Sequence, residues 1–180
     1  RGLQSCLQMK GNARSVAWHA ASERIYVAGQ GPDLASLNGE TLAIEGYLRC
    51  PMDDIQRLRV AGKAVVVLGR AGLWHITLTS GSAGIGEGHV GIPDVLDFSM
   101  DRARALLATW IGDNVLSVRP IDAQSPAGEF RTEAAVTSCS FAPHDNLLAC
   151  GDSAGSLYVL RWRVGEPKEY STMAGLASVG

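Results

Sequence analysis

A pattern that recurs about every 40 residues constrains the fold of this chain more than any other feature of its sequence. Four short apolar segments end at Trp18, Leu58, Phe98 and Phe141, so the spacings are 40, 40 and 43 residues. Each segment is followed by a second apolar run of strand length, then by a turn rich in Gly, Asn or Asp, and then by a third run. The second runs are RIYVAG, KAVVVLG, ALLATW and NLLACG, and the third are LASL, LWHITL, VLSV and SLYVL.

The repeated order of strand and turn predicts antiparallel sheets with few or no helices. The segments Asn38 to Met52 and Ile121 to Glu133 are long enough for a turn and a fourth, outer strand. Apolar positions at helical spacing are not sustained, and 21 Gly and 7 Pro interrupt the chain. We therefore predict an all-β protein built from blades of four antiparallel strands, a partial β-propeller of about four units. A β-sandwich is the alternative, but it would not explain the recurring order.

The repeat also predicts how the chain is divided. We expect a closing strand of a preceding blade at 1–10, blades at 11–52, 53–92, 93–133 and 134–169, and a flexible tail at 170–180. An open set of blades leaves unpaired strand edges, so we expect the chain to be cut from a larger propeller.

Composition excludes several classes of protein. With 16 basic and 18 acidic residues the net charge is −2, which gives no general attraction to nucleic acid or to an anionic membrane. The longest apolar runs have strand length, and no signal peptide is evident. The dispersed Cys6, Cys50, Cys139 and Cys150 lack the spacing of a zinc or redox motif, which predicts reduced thiols in a cytoplasmic protein.

The segment from Val136 to Leu160, VTSCSFAPHDNLLACGDSAGSLYVL, resembles a blade of the WD-repeat family. SVAWHAASERIYVAG and VLDFSMDRARALLATWIGDNVLSV resemble it more loosely, and Gly88-His89 stands where the family has its Gly-His pair. The Trp-Asp dipeptide of the family is absent from every unit. The resemblance implies a structural hydrogen-bond network contributed in part by His89, Thr109 and Asp113, with Arg119 at the position of the Trp.

The resemblance also implies more blades than the four found here. The last unit is similar to the terminal blade of propellers that are attached to large bacterial signalling ATPases.

The motifs that would indicate catalysis lack their structural context. Gly86 to Gly91 matches G-x-G-x-x-G, but Pro93 and a strand-like segment follow where a phosphate-binding helix would begin. None of the four His residues has a second ligand at metal-site spacing, and there is no G-x-S-x-G motif. Asp53-Asp54 is interpreted as a solvated loop before an inner strand. We predict no catalytic, cofactor-binding or metal-binding residue.

A propeller without a catalytic constellation is expected to be a scaffold for protein–protein interactions within a larger protein or complex. The candidate partner-binding residues are charged and lie in predicted loops beside the inner strands: Arg14, Asp54, Arg57 and Asp94. The expected partners are proteins, the remaining blades of the propeller or other subunits of a complex. Two alternatives stay open: a sensor propeller that regulates a linked signalling ATPase or effector, and a metal-dependent propeller hydrolase or lyase.

Overall fold

The structure, a computed structural model, describes residues 12–29, 31–52, 54–78, 88–103, 105–143 and 145–162. In this part of the chain there are fifteen β-strands, no α-helix, and one turn of 3-10 helix at Ala20–Ser22. No helix of the described residues is long and apolar enough to cross a membrane.

Every sheet is an antiparallel meander, because each strand pairs with the one before it in the chain. Sheet 1 consists of β1 (Ser15–His19), β2 (Arg24–Ala28), β3 (Asp33–Asn38) and β4 (Ile44–Arg49), and sheet 2 of β5 (Arg57–Ala61), β6 (Ala64–Gly69), β7 (Gly72–Thr77) and β8 (Gly88–Ile92). Sheet 3 consists of β9 (Asp97–Asp101), β10 (Leu106–Trp110), β11 (Val115–Pro120) and β12 (Gly128–Arg131), and sheet 4 of β13 (Val136–Phe141), β14 (Leu147–Asp152) and β15 (Leu157–Arg161).

The predicted inner strands are displaced in two of the four sheets. We expected strands that end at Leu58 and Phe98, but these residues are the second positions of β5 and β9. The apolar residues that suggested earlier starts, Ile55 and Val95, lie in the loops before the strands and are 0% and 5% exposed. A buried loop residue therefore gave the same sequence signal as a strand.

The chain divides into two compact units between Asp94 and Val95. Unit 1 contains sheets 1 and 2, whose facing sides form one apolar core. Sheet 1 contributes Ala17, Tyr26 and Leu34, which alternate along their strands with residues of the opposite face. Sheet 2 contributes Leu58 and Val67, and all six residues of its strand β6 are buried.

Unit 2 contains sheets 3 and 4 and has its own core. Sheet 3 contributes Ala108 and Leu116, and sheet 4 contributes Leu148 and Cys150, all with at most 1% exposure. Phe130 of β12 meets the ring of Tyr158 of β15 edge-on, with ring centroids 5.3 Å apart. Adjacent sheets in each unit therefore pack face to face, as the repeat predicted.

Two predicted segments cannot be compared with the structure. The closing strand at 1–10 and the tail at 170–180 lie outside the described residues. The limits of the four blades stay a prediction.

Candidate interaction surface

The predicted partner-binding residues all fall in unit 1, at or near the places where inner strands begin. Asp54 lies three residues before β5 and has a φ of 61°. This left-handed conformation is tolerated by Asp better than by most residues. It turns the chain so that the next side chain, Ile55, enters the core. The buried Ile55 side chain therefore fixes the position of the loop, while the Asp54 carboxylate remains partly exposed.

The structure brings two of these residues together. Arg14, directly before β1, donates through Nη1 to Oδ1 of Asp54, so the ion pair joins the entrances of two neighbouring inner strands. The Arg14 backbone N–H is itself fixed by a 2.8 Å bond to the carbonyl of Ala28. The two side chains are 38% and 33% exposed, so both remain accessible to a partner.

The other two predicted residues flank sheet 2. Arg57 is the first residue of β5 and is half-buried. Asp94 is exposed, lies three residues before β9 and has a φ of 59°, which nearly repeats the conformation of Asp54. The same turn, an Asp in the left-handed region followed by a buried Ile or Val, thus precedes two inner strands. The structure joins Arg14 to Asp54, and the four predicted residues are together called the entry surface here: Arg14, Asp54, Arg57 and Asp94.

Unit 2 has a different arrangement at the corresponding loops, centred on Asp152. This carboxylate is 6% exposed and lies at the end of β14. Its Oδ1 accepts from the N–H groups of Ala154 (3.0 Å) and Ser156 (2.9 Å). Its Oδ2 accepts from the Tyr158 hydroxyl (2.9 Å) and from the Ala134 N–H (3.3 Å). The carboxylate thereby ties the turn after β14 to the loop before β13.

The hydrogen bonds to Asp152 set its protonation state. Burial by itself would raise the pKa of Asp152. The bonds from Ser156, Tyr158, Ala134 and Ala154 outweigh that effect and hold the pKa below its ordinary value. Asp152 is therefore ionised at neutral pH and acts as a charged acceptor in the loop.

Sequence reasoning missed Asp152. The available signal was the position of an Asp just before the Ala154-Gly155 turn, where Asp side chains commonly accept backbone N–H bonds. We assigned that kind of role to Asp113 instead. Its Oδ1 does accept from the N–H of Val115 at 3.0 Å, but Asp113 is exposed, and its side chain makes no bond to a neighbouring sheet among the described residues.

The remaining members of the predicted network are only partly described. The His89 side chain lies outside the described residues. Thr109 is 2% exposed in β10. The Arg119 side chain is buried, and its Nη1 donates to the Gln124 carbonyl at 2.7 Å. Burial lowers the Arg119 pKa, and the nearby Glu129 carboxylate counteracts this in part. The network of His89, Thr109 and Asp113 stays a prediction.

The three described thiols are not activated as nucleophiles or metal ligands. Burial, with a smaller contribution from Asp33, raises the pKa of Cys50 to about 12. Burial, with a smaller contribution from Asp152, raises the pKa of Cys150 to about 11. Burial is also the largest cause that raises the pKa of Cys139. These thiols are therefore protonated at neutral pH. His19 bonds Ser22 through Nδ1 at 2.6 Å, and no group of three His, Cys, Asp or Glu suited to a metal occurs in the described ranges.

Comparison with known proteins identifies the fold. No family model matches the chain, and no curated protein matches it in sequence. Among solved structures, it is similar to the β-propeller domain of Cps50 (Swd1) from Myceliophteria thermophila, with a TM-score of 0.70 and 11% identity over 84% of this chain and 54% of that one.

Two further structures have a TM-score of 0.64. The computationally designed protein Ika4 is 14% identical and aligns over 92% of this chain and 100% of its own. A chain in an S. cerevisiae complex of Dbp5, Nup159 and Gle1 with IP6 and ADP is 16% identical and aligns over 91% and 43%. The prediction of β-propeller blades is confirmed, and the chain spans about half the length of the Swd1 domain.

Proposed function

We propose that this chain is part of a non-catalytic β-propeller of the WD-repeat type that binds protein partners through the entry surface. The observation that carries the proposal is the Arg14–Asp54 ion pair, which presents opposite charges side by side across the entrances of two inner strands. Both side chains are about one-third exposed. A partner can therefore exchange its own charged groups with either member without unfolding the blade.

The rigid backbone beneath these side chains also supports the proposal. Ile55 is fully buried directly after Asp54, and Arg14 is tied through its N–H to Ala28. Binding residues placed on loops that a core holds in position lose little entropy when a partner binds.

Two other lines of support come from outside the site. The chain is similar in fold to a chain in the complex of Dbp5, Nup159 and Gle1, so one structural neighbour occurs in an assembly with other proteins. The non-catalytic part of the proposal rests on the sequence, in which no catalytic motif has its required context.

The test compares two variants with the same number and type of substitutions. The site variant replaces the entry surface by Ala: Arg14→Ala, Asp54→Ala, Arg57→Ala and Asp94→Ala. The control replaces two acids and two bases that are exposed at the opposite ends of the strands: Glu40→Ala, Lys63→Ala, Arg102→Ala and Asp122→Ala. Both sets leave the net charge unchanged.

The readout is quantitative affinity capture from an extract of the source cells, followed by mass spectrometry. We expect the proteins captured by the wild type to be retained by the control and reduced at least tenfold with the site variant. Equal capture by both variants, each with an unchanged circular dichroism spectrum, would refute the entry surface. Stoichiometric metal in the purified wild type would favour the enzyme alternative.

A further inference from the structure

Most of the exposed large apolar side chains are gathered on two sheet faces. The described residues include eight such side chains with at least 38% exposure. Four of them lie on one face of sheet 1: Val16, Trp18, Ile44 and Tyr47. Two more, Leu157 and Val159, lie on one face of sheet 4. Isolated exposed apolar residues are ordinary, but two contiguous groups indicate surfaces that another protein covers.

The contacts inside each unit define two types of sheet face. In unit 1 the side of sheet 1 with Ala17 and Tyr26 packs against the side of sheet 2 with Leu58 and Val67. In unit 2 the side of sheet 3 with Ala108 packs against the side of sheet 4 with Leu148. We call the first side in each pair the front face and the second the rear face. Adjacent sheets in a unit always meet front to rear.

The two uncovered faces are of opposite type. Since successive strand residues point to opposite faces, Val16 and Trp18 lie on the rear face of sheet 1, opposite Ala17. In sheet 4, Cys139 and Phe141 pack into the unit 2 core, so Ser138 and Ser140 lie on its front face. The chain therefore carries both halves of one front-to-rear contact, and none of the four described sheets covers either half.

The two faces are also complementary in side-chain size. The rear face of sheet 1 carries large side chains, with Ile25 and Leu37 between the four exposed residues. The front face of sheet 4 carries small side chains across its strands: Ser138, Ser140, Ala149 and Gly151, bordered by Leu157 and Val159. Large side chains facing small ones can interdigitate at the density of a protein interior.

Serine hydroxyls provide an independent sign of the same contact. In unit 1, Ser15 on the front face of sheet 1 accepts the Leu58 N–H of the next inner strand at 3.0 Å. In unit 2, Ser99 on the front face of sheet 3 accepts the Phe141 N–H in the same way at 3.3 Å. On sheet 4, Ser140 pairs with Ala149 as Ser99 pairs with Ala108. Ser138 and Ser140 are exposed, ready to accept N–H groups from another inner strand.

We infer that the front face of sheet 4 in one copy of this chain packs against the rear face of sheet 1 in a second copy. Every copy of the chain carries both faces, so a second copy provides the rear face of sheet 1 that the front face of sheet 4 requires. The contact repeats the front-to-rear packing already present in each unit. Ser138 and Ser140 then bond the backbone of β1 in the second copy, and Leu157 and Val159, two strands away on β15, face the outer strands of that sheet, where Ile44 and Tyr47 are exposed.

The first experiment measures the mass of the 180-residue chain in solution by light scattering coupled to size exclusion, over a hundredfold range of concentration. We expect a species of at least twice 19.0 kDa that dissociates on dilution. A constant mass of 19.0 kDa at all concentrations would overturn the inference, because the faces would then be covered within one copy or by another protein.

Three double variants identify the faces. The rear variant is Val16→Glu with Tyr47→Glu, and the front variant is Leu157→Glu with Val159→Glu. The control, Leu96→Glu with Ile111→Glu, charges the two exposed apolar residues that lie on neither face. We expect both face variants to be monomers and the control to associate as the wild type does. Association of either face variant alone would overturn the inference.

Mixing the variants tests the front-to-rear geometry itself. The rear variant retains an intact sheet 4 and the front variant an intact sheet 1, so an equimolar mixture is expected to form a heterodimer. A mixture that stays monomeric, with each component folded by circular dichroism, contradicts front-to-rear packing. If a Glu variant does not fold, the same mixing is done with Ser at those positions.

Discussion

In unit 1 the two sheets meet across thirteen buried apolar or thiol side chains, whereas in unit 2 eight such residues meet beside the buried carboxylate of Asp152. At the loops, unit 1 joins its sheets by the partly exposed Arg14–Asp54 pair. In unit 2, Asp152 of sheet 4 instead accepts three hydrogen bonds from its own sheet and turn and a fourth from Ala134 in the segment between β12 and β13. The same face-to-face packing therefore needs neither the same core nor the same loop interactions.

The cores offer the largest expected effect. Leu58→Ala in unit 1 should destabilise the chain by about 4 kcal/mol, because the residue is 0% exposed and its neighbours in β6 are all buried and cannot relax into the cavity. Leu148→Ala in unit 2 should cost about 2.5 kcal/mol, because its neighbours Phe141 and Leu160 are only partly buried. Urea unfolding followed by tryptophan fluorescence measures both. Equal losses would show that the two cores are equally rigid.

Two glycines that lead into third strands test the turns. Gly72 has a φ of +124°, and a Cβ there would stand 2.1 Å from the Ile92 carbonyl oxygen, so Gly72→Ala should cost about 3 kcal/mol. Gly155 has a φ of +86° but nothing within 4 Å of its Cβ position, so Gly155→Ala should cost about 1 kcal/mol. Thermal unfolding of the two variants gives the comparison. A Gly155→Ala loss as large as that of Gly72→Ala would mean that backbone strain, not the clash, dominates.

The Asp152 carboxylate should make stability depend on pH. Its pKa in the folded state is below the ordinary value of about 4, so its contribution is present above about pH 4 and is lost as the pH falls through the folded pKa. Asp152→Asn removes the charge and should flatten the fall in melting temperature as the pH is lowered below about 4. The exposed Asp113→Asn is the control and should keep the wild-type slope. An unchanged slope in Asp152→Asn would assign the acid sensitivity to other carboxylates.

The smallest effect is expected at the ion pair of unit 1. A double-mutant cycle with Arg14→Ala and Asp54→Ala should give a coupling of about 0.5 kcal/mol, since both side chains are partly exposed to water. Unfolding in low salt and in about 0.5 M salt tests it, because screening should reduce the coupling further. A coupling above about 2 kcal/mol would make this pair a structural counterpart of Asp152 and weaken its assignment as a binding surface.

Much of the fold could be predicted from local patterns. The second strands β2, β6, β10 and β14 coincide with predicted apolar runs, because a buried strand in an antiparallel meander needs consecutive β-branched and apolar residues. The starts of β5 and β9 could not be predicted in this way. Ile55 and Val95 are apolar because their side chains are buried in the core although they lie in loops. Hydropathy does not distinguish a buried loop residue from a buried strand residue.

The candidate site was predictable only in part. Charge and loop position were enough to select Arg14 and Asp54. Their pairing, however, depends on the packing of β1 beside β5, which places the loops before the two strands next to each other. Asp152 was not selected, because its partners Ala134 and Tyr158 lie on different segments and show no common motif.

The sequence by itself determined the repeating meander, the all-β class and the turns, since each depends on residues within about a dozen positions of one another. Only the tertiary structure decided which faces are covered, which carboxylate becomes a buried acceptor, and which large apolar side chains are left exposed on sheets 1 and 4. These properties depend on the packing of one sheet against another. The contacts concerned join residues about 40 positions apart, as between Ser15 and Leu58, where the order of residues along the chain carries no direct signal.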